Sequence, residues 1–384
     1  MERAALRKTN LIKDILKKKR IIFVGAFPEN SKIYGGNITA CNALMKSDFS
    51  ENIDVIKLDS TQSSHPLPSF FTRLLTALKR LKLFLFILRK EKVDCVLIFA
   101  AWGLSIFEKG VMARLAVIFK KPVLFFPRGG HLVEHFHSSF FARILTKFAL
   151  SKCSKVLCQG EAIKEISMNH LHFSHENSPI IRNWTATKEL LKIGKNKKIK
   201  RSSTLNFLFV GWLDFEKGIR EIIEAFDELS SIYPVKLNLV GEGNATKYVE
   251  EYIKYNPNKN VKIHGWVEPK DIKFFYKNAD ALLLPSWLEG FPNVIVESMA
   301  SKVFVISTSV GNISDVVIHN ETGFLVEKKN SKDLFLKMKE SIENYQLRKI
   351  CSYNAYKYAE ENFSSSTASR EIIRQINEAT SKNK

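Results

Sequence analysis

The apolar positions of this chain fall in short, nearly unbroken runs, separated by longer stretches with helical spacing. Ile21–Gly25, Ile53–Leu58, Val93–Phe99, Pro122–Phe126 and Lys155–Gln159 are such runs in the first half. A run that is apolar at successive positions suits a strand covered on both faces, as in a parallel sheet flanked by helices. The rhythm restarts with Leu205–Gly211, Val235–Gly241, Val261–Gly265, Ala281–Ser286 and Val303–Thr308. Strand–helix alternation in two series predicts an α/β architecture of two doubly wound, Rossmann-like domains. Between the series, Lys188–Ser203 is charged and strand-free and reads as a linker. The domains are then residues 1–187 and 204–363, with a mostly helical pattern from Ser331 onward. Each series opens on a strand ending Phe-Val-Gly (Phe23–Gly25 and Phe209–Gly211), a faint internal repeat. Two such domains face a cleft, and ligands of these sheets bind beyond the carboxyl ends of the strands. The informative residues are expected in the loops that follow strands.

Composition narrows the class. Hydrophobic residues make up 45% of the 384, which excludes a disordered chain. The formal net charge of +20 points to an anionic partner: a membrane surface, phosphorylated ligands or nucleic acid. Five cysteines (Cys41, Cys95, Cys153, Cys158 and Cys351) form no C-x-x-C pair, which fits a reducing compartment. The apolar run Cys95–Phe107 has 13 residues, short of the roughly 20 a spanning helix needs. The first twenty residues carry eight Lys/Arg and no apolar signal core, so a cytoplasmic protein is expected.

The loops after the second series carry the candidate chemistry. In Gly211–Gly218, Lys217 is the only cation and stands between a strand and a helix start. There a lysine reads either as a solvated surface residue or as a phosphate counter-charge. Gly241 and Gly243 in "VGEGNATK" allow close backbone approach, or simply a tight turn. Thr246 stands where a dinucleotide fingerprint needs its third glycine, so that motif fails. "LEGFPNVIVE" (Leu288–Glu297) is the densest element. Pro292 starts a helix and leaves the N–H groups of Asn293, Val294 and Ile295 at an anion-attracting end. Glu297, about 7 Å further along that helix, can accept hydroxyl hydrogen bonds, and Glu289 stays in the loop. Phosphates at the helix end and a polyol at each acid describe a nucleotide-linked ligand.

In the first half, Gly35 and Gly36 of "YGGNIT" either approach a phosphate or sugar closely or turn the chain. Arg128 and His131 flank the glycine pair of "FPRGGHLVEHFH" and are expected to project towards the cleft. His131 and His135 share a helix face, yet no matching acid or cysteine cluster accompanies them, and Asp-x-Asp is absent. No metal and no cofactor are therefore expected.

These residues together resemble the family 4 glycosyltransferases, retaining enzymes of the two-domain GT-B fold. Glu289–Glu297 carries the family's Glu, seven residues, Glu signature with Gly290-Phe291-Pro292 between. "DFEKG", "GGNIT", "PRGGH", "CQGEAIKEI", "IIRNW" and Glu297–Val317 also resemble family elements. The resemblance spans nearly the whole chain and implies a final helix, near 364–384, crossing back to the N-terminal, acceptor-binding domain. It implies Glu297 on the donor ribose, Glu289 on donor-sugar hydroxyls and Lys217 on the departing diphosphate. It also implies His131 beside the sugar, with Gly290, Phe291, Pro292, Asn293, Gly211, Gly241 and Gly243 around the donor. Gly35, Gly36 and Arg128 would form the acceptor or phosphate loop. Where the family often has Arg, this chain has Trp212, so one phosphate cation is missing unless Arg128 or Arg182 contributes. Asn183 matches the usual hinge only in part, and Asp315 replaces Glu.

The excess cations concentrate in the first half. Phe71–Lys92 has seven cations, one acid and a dense apolar set, and Phe140–Lys155 is similar. Such helices either lie in a membrane interface or are core helices whose lysines reach past the edge. The resulting expectation is a UDP-, GDP- or ADP-sugar donor, a lipid-linked or oligosaccharide acceptor, an anionic membrane surface and no nucleic acid. Rival readings are a sugar-nucleotide epimerase of similar fold and a nucleotide-sugar-binding protein without catalysis.

Overall fold

The computed structural model describes residues 18–28, 36–61, 69–101, 103–128, 131–202 and 204–381; for Leu104 and His131 only the backbone is described. Two parallel sheets organise them. The first comprises β1 (Lys19–Gly25), β2 (Ile53–Asp59), β3 (Cys95–Ala100), β4 (Val123–Pro127) and β5 (Lys155–Val156), in the order β2-β1-β3-β4-β5. The second comprises β6 (Asn206–Val210), β7 (Lys236–Val240), β8 (Val261–Ile263), β9 (Ala281–Leu284), β10 (Phe304–Thr308) and β11 (Phe324–Val326), in the order β11-β10-β9-β6-β7-β8. All ten strands expected from the sequence are present. The eleventh, Phe324–Val326 behind Gly323, is an apolar run that lies outside the strands expected from the sequence.

The first sheet shows why its strands read as continuous apolar runs. Ile22, Val24, Val96, Ile98 and Phe125 point into one core layer, while Ile21, Phe23, Cys95, Leu97 and Leu124 point into the layer on the opposite face. Successive side chains alternate sides, and both sides are dry.

Eight helices bear on the site and surface discussed below. They are α1 (Gly36–Met45), α2 (Phe70–Lys90), α3 (Leu104–Ile118), α4 (Phe140–Leu150), α5 (Lys188–Asn196), α6 (Ile272–Asn278), α7 (Asn293–Ala300) and α8 (Ser365–Ser381). The stretch read as a strand-free linker contains α5. The Thr187 side chain caps its amino end by accepting from the Leu190 N–H, and Leu190 is buried in the C-terminal core. Gly194 lies against α7 so closely that a Cβ there would sit 2.2 Å from the Ala300 carbonyl oxygen. The lysines that make the stretch look like a linker occupy the solvent side of an amphipathic helix.

α8 belongs spatially to the opposite end of the sequence. Its Ala368, Ile372, Ile376 and Ala379 lie in the same core layer as Ile21 and Phe23. Lys155, almost fully buried on β5, ties it down by donating to Gln375 Oε1 at 2.5 Å and Glu378 Oε2 at 2.6 Å.

Candidate active site

The carboxyl ends of β6 and β9 converge on one loop pair. After β6, the chain makes a single helical turn, Phe215–Lys217, and leaves it through Gly218 in the left-handed region (φ 76°). A side chain on Gly218 would strike the Pro285 carbonyl at 2.3 Å, so only glycine lets this loop reach the end of β9. The approach brings Lys217 Nζ to 2.7 Å from Glu289 Oε1, and Ser286 Oγ donates to the same oxygen at 3.0 Å. Glu289 and Lys217, 72 residues apart in sequence, form a mostly buried ion pair. Ser286 was not anticipated; a serine at a strand end carries no distinguishing signal.

Past Glu289 the chain is held by its backbone. The Gly290 carbonyl accepts from the Asn312 N–H at 2.8 Å, and Gly311 packs directly on the Glu289 carbonyl. Phe291, expected around a donor, turns its ring into the core against Phe363, with ring centroids 5.7 Å apart. Its apolar surface is better covered there than in a wet cleft, and only its carbonyl faces the interdomain region. Pro292 caps α7 with extended backbone. The Ile295 N–H, expected to be free, donates to the Pro292 carbonyl at 3.2 Å, so the open end is formed by Asn293 and Val294.

Glu297 lies one turn into α7, with Oε2 accepting from the Tyr276 hydroxyl of α6 at 2.7 Å. Burial pushes its carboxyl up to about 7, opposed by the Tyr276 hydrogen bond. Tyr276 is fully buried, and in sequence it is indistinguishable from a core aromatic. Lys197, a linker residue, donates to the Tyr276 carbonyl at 2.8 Å and so steadies the end of α6.

The glycines of the second series form a close-packed rim. Gly241 (φ 135°) leaves no room for a Cβ, which would lie 1.8 Å from the Gly211 carbonyl oxygen. Gly243 donates its N–H to Thr246 Oγ1 at 2.9 Å. Beyond this rim opens a cavity of about 1060 Å3, lined by Trp212, Asp214, Glu242, Gly243, Asn244 and Gly265 among others. Its wall belongs to the β6, β7 and β8 side of the sheet, and none of Lys217, Ser286, Glu289 and Glu297 lines it.

From the N-terminal domain, Gly36 begins α1 and its carbonyl accepts from Asn293 Nδ2 at 3.1 Å, across the cleft. Gly35 lies outside the described residues, as does the side chain of His131, whose backbone starts a helix. Arg128 does not project freely into the cleft as expected. It is buried, with its guanidinium 5.3, 5.0 and 4.6 Å from the rings of Phe99, Phe126 and Trp184. Its Nε donates to Asn37 Oδ1 at 3.2 Å and its Nη2 to Asn183 Oδ1 at 2.7 Å. Three aromatic faces and two amide acceptors receive the flat guanidinium there and offset part of its desolvation. Burial lowers its pKa to about 10, which leaves it charged. A second interdomain contact brings Gly160 against Asn312 and Asp315 with no space for a side chain.

Two facing doubly wound domains, with the last helix returned to the first domain, are the GT-B architecture. Residues 193–358, which include Lys217, Glu289 and Glu297, match the family model Glycosyl transferases group 1. The chain is 29% identical over 238 residues to the capsular polysaccharide biosynthesis glycosyltransferase CapM of Staphylococcus aureus. That similarity covers 59% of this chain and 62% of the relative, so the chain spans less than two thirds of the relative's length. Among solved structures, sucrose-phosphate synthase from Thermosynechococcus elongatus superposes with a TM-score of 0.73 at 16% identity, covering 94% of this chain and 99% of that one. Anabaena Alr3699/HepE in complex with UDP and glucose superposes with a TM-score of 0.68 at 18% identity, covering 94% and 100%.

Proposed function

We propose that this protein is a retaining glycosyltransferase that moves a sugar from a nucleotide-sugar donor to a lipid-linked or growing cell-surface glycan. The observation that carries the reading is the Lys217–Glu289–Ser286 cluster at the ends of β6 and β9, with Glu297 on the helix that follows. Breaking the bond between the anomeric carbon and the diphosphate develops negative charge on the departing oxygen. A fixed ammonium and the open amino end of α7 are placed to stabilise that charge, which lowers the barrier more than it strengthens ground-state binding. In this reading Glu289, held by two donors, orients sugar hydroxyls, and Glu297 accepts from ribose hydroxyls. A UDP-linked donor is supported by the UDP and glucose bound in the structural neighbour, and a capsule-type acceptor by the name of the relative. Retention follows from the resemblance of Glu289–Glu297 alone.

The N-terminal domain favours an acceptor held at an anionic bilayer. α2 buries only Phe84, Ile87 and Leu88 and leaves Phe71, Leu75 and Phe86 exposed among Arg73, Lys79 and Lys82. α3 packs against both α2 and α4, and α4 adds Phe140 and Phe141, each about three-quarters exposed. Exposed phenylalanines interleaved with cations suit burial at the acyl boundary beneath anionic headgroups. No helix among the described residues is long and apolar enough to cross a membrane.

The test is a thermal-shift screen with UDP-, GDP- and ADP-sugars, followed by transfer to lipid-linked acceptors and NMR assignment of the product anomer. Stabilisation by one donor class and a product with the donor's anomeric configuration are expected. An inverted product removes retention, and conversion of free donor without acceptor points to the epimerase reading.

A further inference from the structure

Among the described residues, the acceptors around the buried Arg128 charge are all neutral. The guanidinium has amides on two nitrogens, rings on its faces, and a third nitrogen, Nη1, that is buried with no hydrogen-bond partner among the described residues. An unpaired buried cation is costly, and a position serving packing alone is better filled by an apolar side chain. The hydrogen bonds leading away from it all run the same way. Arg128 Nη2 donates to Asn183 Oδ1 (2.7 Å), Asn183 Nδ2 donates to Asn293 Oδ1 (2.8 Å), and Asn293 Nδ2 donates to the Gly36 carbonyl (3.1 Å). Head-to-tail amides are polarised in sequence by a cation at their origin.

The chain of amides starts on β4's loop, passes the segment between the domains, reaches the first residue of α7 and returns to α1. Asn183 Nδ2 also donates to the Phe291 carbonyl (2.5 Å), and Gln159 Nε2 donates to Asn183 Oδ1 (3.0 Å), so the central amide has a single orientation. Meanwhile the charge of Lys217 is answered by Glu289, and position 212 holds an uncharged tryptophan.

We propose that Arg128 is a positioning residue: its uncompensated charge acts through Asn183 on Asn293, holding the amino end of α7 against Gly36 across the cleft. This sets the rate of sugar transfer and leaves donor affinity unchanged. The inference rests on the function proposed above. Donor groups Lys217, Glu289 and Glu297 and the amino end of α7 all belong to the C-terminal domain, so a donor binds without Arg128. Transfer needs the two domains in register, and the relay supplies that register.

The experiment is a double-mutant cycle of R128Q and N293A, read by kcat, donor KM, thermal midpoint and hydrogen exchange at residues 36–40. Each single variant is expected to lower kcat on the order of a hundredfold, and in R128Q, which leaves the donor-side Asn293 in place, donor KM is expected within about threefold of the parent. The double variant is expected to be no slower than the slower single, because both break one relay. Exchange in the first turn of α1 is expected to quicken in all three. R128Q is expected to keep or raise the thermal midpoint, since a structural arginine would lower it. Effects on kcat that multiply, a kcat within about threefold of the parent in either single variant, or unchanged exchange in N293A overturn the proposal. If the parent protein transfers no sugar at all, the functional reading fails, and the exchange cycle still decides the relay.

Discussion

Glu297→Gln is expected to make the protein more stable while weakening its grip on a donor. Burial raises the Glu297 carboxyl from 4.5 to about 7. The native state therefore binds this proton more tightly than the unfolded chain does. Between pH 4.5 and 7 stability falls as pH rises, and above pH 7 the full cost of the buried charge stands. Each pH unit is worth about 1.4 kcal/mol, so the difference sets an upper bound of about 3 kcal/mol. Glu297 keeps some contact with solvent and its Tyr276 hydrogen bond, which reduces the expected gain from glutamine to about 1–2 kcal/mol. For a domain of this size that is a rise of about 2–8 °C in Tm at pH 8. The gap should close as the pH approaches 4.5, where parent and variant are both neutral. Differential scanning calorimetry across pH 5 to 8.5 measures it directly. A variant less stable than the parent at pH 8, or a gap independent of pH, would refute the assignment of a buried, strained carboxylate. Donor affinity should move the opposite way, falling about tenfold in the variant, because a charged acceptor is replaced by a neutral one. On the proposed role of Glu297 as acceptor for ribose hydroxyls, affinity in the parent protein should decline as pH drops below about 7, where the carboxylate takes up a proton.

Three other outcomes follow from the geometry. Lys217→Met should lower transfer by a factor on the order of 100 to 1000 and leave Glu289 without its cation, a loss read from kcat at saturating donor. Phe71→Glu combined with Phe141→Glu should abolish binding to vesicles rich in anionic lipid at low salt and leave turnover of a water-soluble acceptor unchanged; binding that persists removes the membrane face. Gly194→Ala forces a methyl group onto the Ala300 carbonyl and should cost about 1–3 kcal/mol in denaturant unfolding of the C-terminal domain.

The fold was legible because both sheets are parallel and covered on both faces, so each strand of ordinary length announces itself as an apolar run. The element that escaped, β11, lies in a predominantly helical stretch of the pattern, and α5 was concealed because Leu190, Leu191 and Ile193 are its only apolar side chains among lysines. Lys217 and Glu289 were legible separately, since each follows a strand, but their pairing depends on Gly218 folding one loop onto another. Tyr276, Ser286 and the Asn183–Asn293 bridge carried no local signal. An asparagine or a buried tyrosine becomes informative only when a distant segment supplies its partner. Arg128 was misplaced for the same reason, because the rings of Phe99, Phe126 and Trp184 that receive it come from three separate segments.

The return of α8 to the first domain has a consequence for synthesis. Ile372 and Ile376 fill the core layer that also holds Ile21 and Phe23. The amino-terminal half therefore leaves the ribosome with one core face covered only in part, by α1 and the segments of Phe49 and Trp184, and is completed when α8 emerges. The carboxyl-terminal half, whose buried cluster runs from Ala186 to Phe363, can close before that. Domains usually fold in the order in which they are made; here the half made first is finished after the second, and a chaperone would meet it with a gap in that face until α8 arrives.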